Sequence, residues 1–387
     1  MKKRLVSIAL LVPFSVAYGQ SSVTLYGAID NALVFNSNAG GKNQYYLSSG
    51  ASESNRWGLL GTEDLGGGLK VIFKIEGGFS SNSGATGNDG AIFGRTANVG
   101  LSGRAGTLTI GRQYSPGFWY VWPVTANAWS FGGGGYSAHP GDVDNLDSFQ
   151  WINNAVVYTT PTIAGFTGKA MYSFGGISGS TAEHRIMAIG GAYVNGVVTL
   201  GVGYQVANQP NFSFYGTNPS ASATGNNMFS TVNAGFASAG GQKILTAGAA
   251  CTLGSATIGA VYSNTRYTDL GETAVSGLSE TEAGYRGTET FNIGELNFKY
   301  SVTPAFLLGA AWSYTQSSGV NSARYQQVEL AGNYSISKRT YIYGGAIYQH
   351  ASGTNSLGSA AVAEIAGATP SSNNHQILAM LGFGHRF

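Results

Sequence analysis

The sequence predicts an all-β protein: a transmembrane, antiparallel, up-and-down β-barrel of sixteen strands. Three observations predict it: an unusual composition, a two-residue alternation along the chain, and the number and placement of its turns. Of 387 residues, 59 are Gly, 22 Tyr and 19 Phe, while charged residues make up only 10% at a mean hydropathy of +0.00. Ordinary soluble domains carry about 25% charged residues, and disordered chains have few aromatics and a large net charge. A helical membrane protein needs apolar runs of about 20 residues, and none occurs after the first 20 positions. A β-wall with one face toward lipid and the other toward water fits all of these values.

The N-terminus reads as a signal peptide over residues 1–19. Lys2, Lys3 and Arg4 form a basic start, Leu5 to Val16 an apolar stretch too short to span, and Ala17-Tyr18-Gly19 a small-x-small cleavage site. Cleavage takes 20 cations to 17 against 18 acids, a balance of −1, so no basic face for nucleic acid survives. Residues 20–387 then form one exported barrel domain. The lone Cys251 gives no intrachain disulfide.

Alternation is clearest in residues 69–79. Val71, Phe73, Ile75 and Phe79 share one side, and Lys70, Ile72, Lys74 and Glu76 the other, as side chains on a strand must. Segments of about 10 residues suit tilted membrane-spanning strands. Seven tight connections separate them, at 63–68, 103–106, 161–165, 195–196, 252–255, 301–304 and 335–339. Asn195-Gly196 is the strongest hairpin signal, because a type I′ turn needs positive φ at both central residues. Seven hairpins make fourteen strands; an opening strand at 23–35 and a closing one at 376–387 make sixteen.

The opposite connections are longer and polar, at 36–43, 80–90, 116–149, 175–183, 208–241, 268–290, 316–325 and 351–375. Short turns on one rim and long loops on the other are the outer-membrane asymmetry. Tyr158, Tyr300 and Tyr334 precede short turns and Phe166, Phe306 and Tyr341 follow them, which reads as an aromatic girdle at headgroup level. An open sheet edge in hydrocarbon would leave amides unsatisfied, so the sheet closes.

Three segments and the C-terminus resemble the general porins of Gram-negative outer membranes, in their β-proteobacterial branch. They are Gln20-Ser21-Ser22-Val23-Thr24-Leu25-Tyr26-Gly27, the run from Arg56-Trp57-Gly58-Leu59 through Gly66-Gly67-Gly68-Leu69-Lys70, and Thr107-Leu108-Thr109-Ile110-Gly111-Arg112-Gln113-Tyr114. His385-Arg386-Phe387 is similar to the family's terminus, where Phe387 would be the signal read by the barrel assembly machinery. The resemblance implies a homotrimer in a bilayer with lipopolysaccharide, and a third loop folded into the lumen. It implies passage of small hydrophilic solutes, with no enzyme activity, cofactor or metal.

That loop is 116–149, with Trp119 and Trp122 among its aromatics, the run Gly132–135, and Asp142, Asp144 and Asp147. Exposed to solvent, so many rings would be anomalous; against the inner wall, they anchor the loop and the carboxylates face water. The glycine run is neither a P-loop nor a dinucleotide fingerprint, because no Lys-Ser/Thr follows it.

Candidate pore-lining charges are those opposite the apolar face: Arg56, Lys74, Glu76, Asp30 and Lys169. A charge on the lipid face at mid-bilayer costs roughly 2–4 kcal/mol, so these point inward, either to set selectivity or as solvated wall residues. The resemblance carries the family's arginine cluster onto Arg56 and Arg95, and its accompanying carboxylate onto Glu76. Arg95 shares parity with Ala97, Val99 and Leu101, so it reaches the lumen only through a bulge. Trp151 stands where the family carries a further arginine, and Arg112 has the parity of a subunit contact.

The expected function is a general diffusion pore with weak anion preference at most. Trp151 and the loop aromatics leave open a solute-specific slide for sugars or aromatic acids, and the Ser/Asn/Gly-rich outer loops leave open an adhesin or structural role. His139, His184, His350, His375 and His385 are scattered, and neither Gly-x-Ser-x-Gly nor His-Glu-x-x-His occurs, so catalysis and metal binding find no motif.

Overall fold

The computed structural model describes residues 21–129, 135–213 and 227–387. The signal peptide expected at 1–19, Phe131 and most of the Gly132–135 run lie outside the described residues. The wall begins with β1 (Ser22–Ala39), β2 (Lys42–Ser49), β3 (Arg56–Gly66), β4 (Leu69–Gly78), β5 (Thr96–Gly103) and β6 (Gly106–Gln113). It continues with β7 (Ile152–Thr159), β8 (Phe166–Ser173), β9 (Ile186–Val194), β10 (Val198–Asn208), β11 (Gly241–Leu253) and β12 (Ala256–Leu270). β13 (Gly287–Thr303), β14 (Phe306–Ser318), β15 (Ser322–Ser335), β16 (Thr340–Thr354) and β17 (His375–Arg386) complete it.

β1 pairs with β2, the strands from β3 to β17 pair antiparallel in succession, and β17 returns to β1 through Ala28↔Arg386 to Asn36↔Leu378, which closes the barrel. β1 pairs with β3 over Ser22–Ala28 and with β2 over Asn31–Ala39. β2 and β3 are therefore two halves of one wall strand interrupted at 50–55. The 17 described segments make 17 − 1 = 16 strands. All seven expected hairpin turns are present at the expected positions.

Two expected long loops, at 36–43 and 316–325, are instead hairpin tips at Gly40-Gly41 and 319–321. β1 has 18 residues and β13 has 17, whereas about 9–11 cross a bilayer. The strands continue past the hydrocarbon, because their main-chain ladder holds outside the membrane as well as within it.

The burial pattern inverts that of a soluble protein. Many apolar side chains of the wall are exposed, Leu330 at 61% and Leu381 at 67%, while Asp30, Glu76, Glu295, Glu329 and Gln349 are buried. Tyr158, Phe166, Tyr300 and Tyr334 stand exposed beside the short turns, as a girdle requires. Tyr341 does not join them. It is buried, with its hydroxyl donating to Asp30 and Glu53.

The remaining long connections are packed rather than loose. Phe236 lies 5.5 Å from Tyr267 and 6.1 Å from Phe291, in one apolar core with Val143, Met228 and Tyr325. Thr231 bonds Glu364, and Gln150 bonds the Asn227 carbonyl, so three loops hold one another.

Candidate functional site

The connection between β6 and β7 docks on the buried face of the wall. Ser115 opens a short helix, α1 (Pro116–Val121), by accepting the Phe118 N–H at 3.2 Å, with Pro116 at the first position, where a missing N–H costs nothing. The wall meets this segment with glycines. A Cβ on Gly201 would lie 1.8 Å from the Tyr120 carbonyl oxygen, and one on Gly309 would lie 1.6 Å from the Trp129 ring. On Gly203 it would meet Gly117 at 2.5 Å and on Gly248, Val124 at 2.5 Å. Only hydrogen fits at these four places.

Polar contacts then fix the segment. The Ala126 N–H donates to Glu295 at 2.8 Å, Asn297 donates to the Val124 carbonyl at 2.9 Å, and Ser137 bonds Glu329. His139 Nδ1 lies 2.7 Å from Asp144 and its Nε2 lies 3.3 Å from Glu295; Ser263 donates to Asp144 at 2.6 Å. The two carboxylates raise the His139 imidazole well above its usual range despite burial, and His139 in turn lowers Asp144. Burial is the largest cause raising the carboxyls of Asp142 and Asp147, reinforced by the Asp144 charge on Asp142 and by the Asp142 charge on Asp147.

A cavity of about 480 Å³ lies beside this segment. Arg56, Lys74, Arg95 and Arg386 supply its positive charges; Glu53, Glu76 and Asp147 supply its negative ones. Glu76 is the hub. Its carboxylate lies 2.9 Å from Arg95, 3.2 Å from Lys74 and 3.9 Å from Arg56, and accepts the Tyr26 hydroxyl at 2.7 Å. Glu53 holds Arg56 at 2.5 Å and Arg386 at 2.6 Å. Much of the remaining lining is aromatic, and Arg95 lies 6.0 Å from the Tyr114 ring. Tyr114 stacks on Phe118 at 4.5 Å, Phe118 on Trp122 at 5.3 Å, and Trp119 stands edge-on to both Tyr114 and Phe118.

Of the residues singled out from sequence, Arg56, Lys74, Glu76, Arg95, Trp119, Trp122, Asp147 and Trp151 come together at this cavity. Arg95 arrives without a bulge: it precedes the regular ladder of β5, which starts at Thr96. Lys169 lies behind, its ammonium 4.5 Å from the Trp119 ring centre. Asp30 is spent on Ser52, Tyr341 and Tyr343, outside the cavity lining.

Asp142 and Asp144 do not face water as expected. Asp142 accepts the N–H groups of Asp147 and Phe149, and Asp144 is held by His139 and Ser263, both buried. Phe387 sits at the seam beside Gly27. Arg112 is turned by a bulge opposite Ala155 and Ile152, so that it bonds the Gly94 carbonyl and lies 5.7 Å from the Trp151 ring.

Glu53, Arg386 and Tyr114 were not singled out as site residues from the sequence, whereas Phe118 belongs to the loop aromatics expected against the inner wall. The spacing Glu53-x-x-Arg56 was the available signal for one of them. Arg386 gave none, since its partner lies 333 residues away.

A family model described as Gram-negative porin matches residues 7–354. The chain is 27% identical to outer membrane porin protein 32 of Delftia acidovorans, covering 100% of each. It is 34% identical over 238 residues to an outer membrane porin protein of Bordetella pertussis, covering 54% of this chain and 61% of that one, under two thirds of that relative's length. Among solved structures, an anion-selective porin from Comamonas acidovorans superposes with a TM-score of 0.72 at 22% identity, over 95% of this chain and 100% of that one. The trimer form of an outer membrane protein of Vibrio cholerae gives 0.63 at 17%, over 95% and 99%. At these identities the structural likeness speaks for the fold.

Proposed function

The chain belongs to the Gram-negative porin family, and from that premise we propose that it is a general diffusion pore of the outer membrane, with weak anion preference, narrowed by the docked segment 114–151. The observation that carries this reading is the charge balance of the cavity. Four cations face three carboxylates there, 4 − 3 = +1. Fixed charge of one sign offsets part of the hydration lost by counter-ions passing it. Because Glu76 and Glu53 hold the cations in place, the field is focused but partly cancelled, and a weak preference follows.

Export of residues 20–387 after removal of 1–19, recognition of Phe387 during barrel assembly, and association of three copies belong to the same reading. The outer apolar rows of β1 and β5, with Leu25, Leu33, Val99 and Leu101 exposed, offer a surface for lipid or for a second copy.

Single-channel current in a planar bilayer under a salt gradient tests the function. We expect stepwise openings and a small reversal potential of the sign for anions. A folded, heat-modifiable protein without conductance would overturn it in favour of an adhesin or structural barrel. Migration of unboiled protein as a single unfolded-size band would overturn both barrel and trimer.

A further inference from the structure

The cavity carries more aromatic surface than passage of small ions requires. Trp119 is 44% exposed, although it belongs to a segment otherwise packed on the wall. Large rings left facing water lose the stabilisation that burial would give. Phe118 and Trp122 repeat every four residues along α1 and its continuation, so their rings stack in a column with Tyr114. Trp151 continues the aromatic lining 5.9 Å from Tyr114 and is only 8% exposed, with Arg95 5.6 Å and Arg112 5.7 Å from its ring. A guanidinium lying against an aromatic ring keeps its N–H edges for a planar acceptor. Glu76 engages Arg95 through Nε alone.

We propose that this cavity is a subsite for aromatic carboxylates. The ring lies against Trp119 and the Phe118–Trp122 column, and the carboxylate meets Arg95, Lys74 and Arg56. The proposal rests on the channel reading above and names the solutes that this channel favours. The two halves of such a ligand match the two halves of the lining. A short aliphatic acid satisfies the cations and leaves the rings wet; a sugar covers rings but brings no charge to the guanidinium; an aromatic amine brings the wrong charge.

Three acids of equal charge separate these contributions in single-channel recordings: acetate, cyclohexanecarboxylate and benzoate, added to one side of the open channel. We expect benzoate to interrupt the current at a half-blocking concentration about tenfold below that of acetate, with cyclohexanecarboxylate between them, as an aromatic contact worth roughly 0.5–1.5 kcal/mol provides. Trp119→Ala should bring benzoate and acetate to within about twofold of each other, and Arg95→Gln should weaken block by all three.

Equal block by acetate and benzoate in a conducting channel would overturn the subsite and leave the pore intact. Equal block by benzoate and cyclohexanecarboxylate would overturn the aromatic selectivity. Absence of any conductance would instead strike the channel reading itself.

Discussion

Phe387 exchanges two backbone hydrogen bonds with Gly27, each 3.1 Å, and its ring covers the Gly27 Cα. The final residue of the chain thereby extends the β17–β1 ladder by one pair and finishes the closure that a barrel in lipid requires. A Cβ at Gly27 would stand 2.4 Å from the Phe387 ring and 2.5 Å from the Arg56 carbonyl oxygen. Gly27→Val should open this seam, at a cost of roughly 1–3 kcal/mol, seen as a lower midpoint of heat modification on gels. Gly294→Ala, where nothing lies within 4 Å of the added carbon, should leave the midpoint in place.

The glycines under the docked segment give a second prediction. Gly201→Val drives a side chain into the Tyr120 carbonyl, and neighbouring backbone cannot yield without shifting α1. The wall ladder at Gly201, paired with Ala192 and Gly248, tolerates a β-branched residue, so the barrel itself should still form. We expect a larger single-channel conductance and faster protease cleavage within 114–151. An unchanged conductance with an intact segment would refute the idea that these glycines exist to admit it.

Glu76 and Arg95 should act on selectivity in opposite directions. Glu76→Gln removes one negative charge from the hub of three cations, and the reversal potential in a salt gradient should move toward greater anion preference. Arg95→Gln should move it toward cations. Trp151→Arg adds a third guanidinium to Arg95 and Arg112 at a site only 8% exposed, so anion preference should rise while the heat-modification midpoint falls. If all three variants kept the wild-type reversal potential, the cavity would not be where ions are sorted.

The sequence disclosed the parts of this architecture that are set locally. Hairpin positions follow from turn residues such as Asn195-Gly196, and the inward placement of Arg56, Lys74 and Glu76 follows from parity, because the pleat repeats every two residues. Parity fails as soon as the chain leaves the ladder. Arg95 lies one residue before the paired part of β5, so its direction is set by the turn and by Glu76 rather than by Ala97 and Val99. Asp142 and Asp144 read as solvated loop carboxylates. Their partners, His139 and Ser263 and two backbone N–H groups, are assembled only when the segment docks. Tyr341 resembled a girdle residue because its acceptors, Asp30 and Glu53, lie 311 and 288 residues away. No local pattern encodes such separations.

The docked segment should loosen as pH rises above neutral. His139 bridges Asp144 of its own segment and Glu295 of β13; Asp142 and Asp147 flank it, and Glu329 of β15 holds Ser137 nearby. The raised imidazole stabilises docking fully below its unfolded value of about 6.5, and that contribution is lost as pH climbs through the higher folded value. The raised carboxyls of Asp142 and Asp147 have the same sign, since each must ionise in a buried place as pH climbs. Asp144 has the opposite sign: its lowered carboxyl contributes above about 3.9 and is lost only as pH falls through the folded value. The carboxyls of Asp142 and Asp147 contribute fully only below about 3.9 and lose that contribution as pH climbs toward the folded values, about 8 for Asp142. Docking is therefore firmest at about pH 4, and the loss of the His139 contribution above about 6.5 adds to theirs. Open-channel noise, with protease cleavage between residues 114 and 151, should increase between pH 6.5 and 10 while the barrel keeps its heat-modifiable band. His139→Gln should raise the noise at pH 6.5 and flatten the rise without abolishing it, because Asp142, raised to about 8, still titrates. Noise independent of pH across that interval would mean that the His139 bridge does not hold the segment.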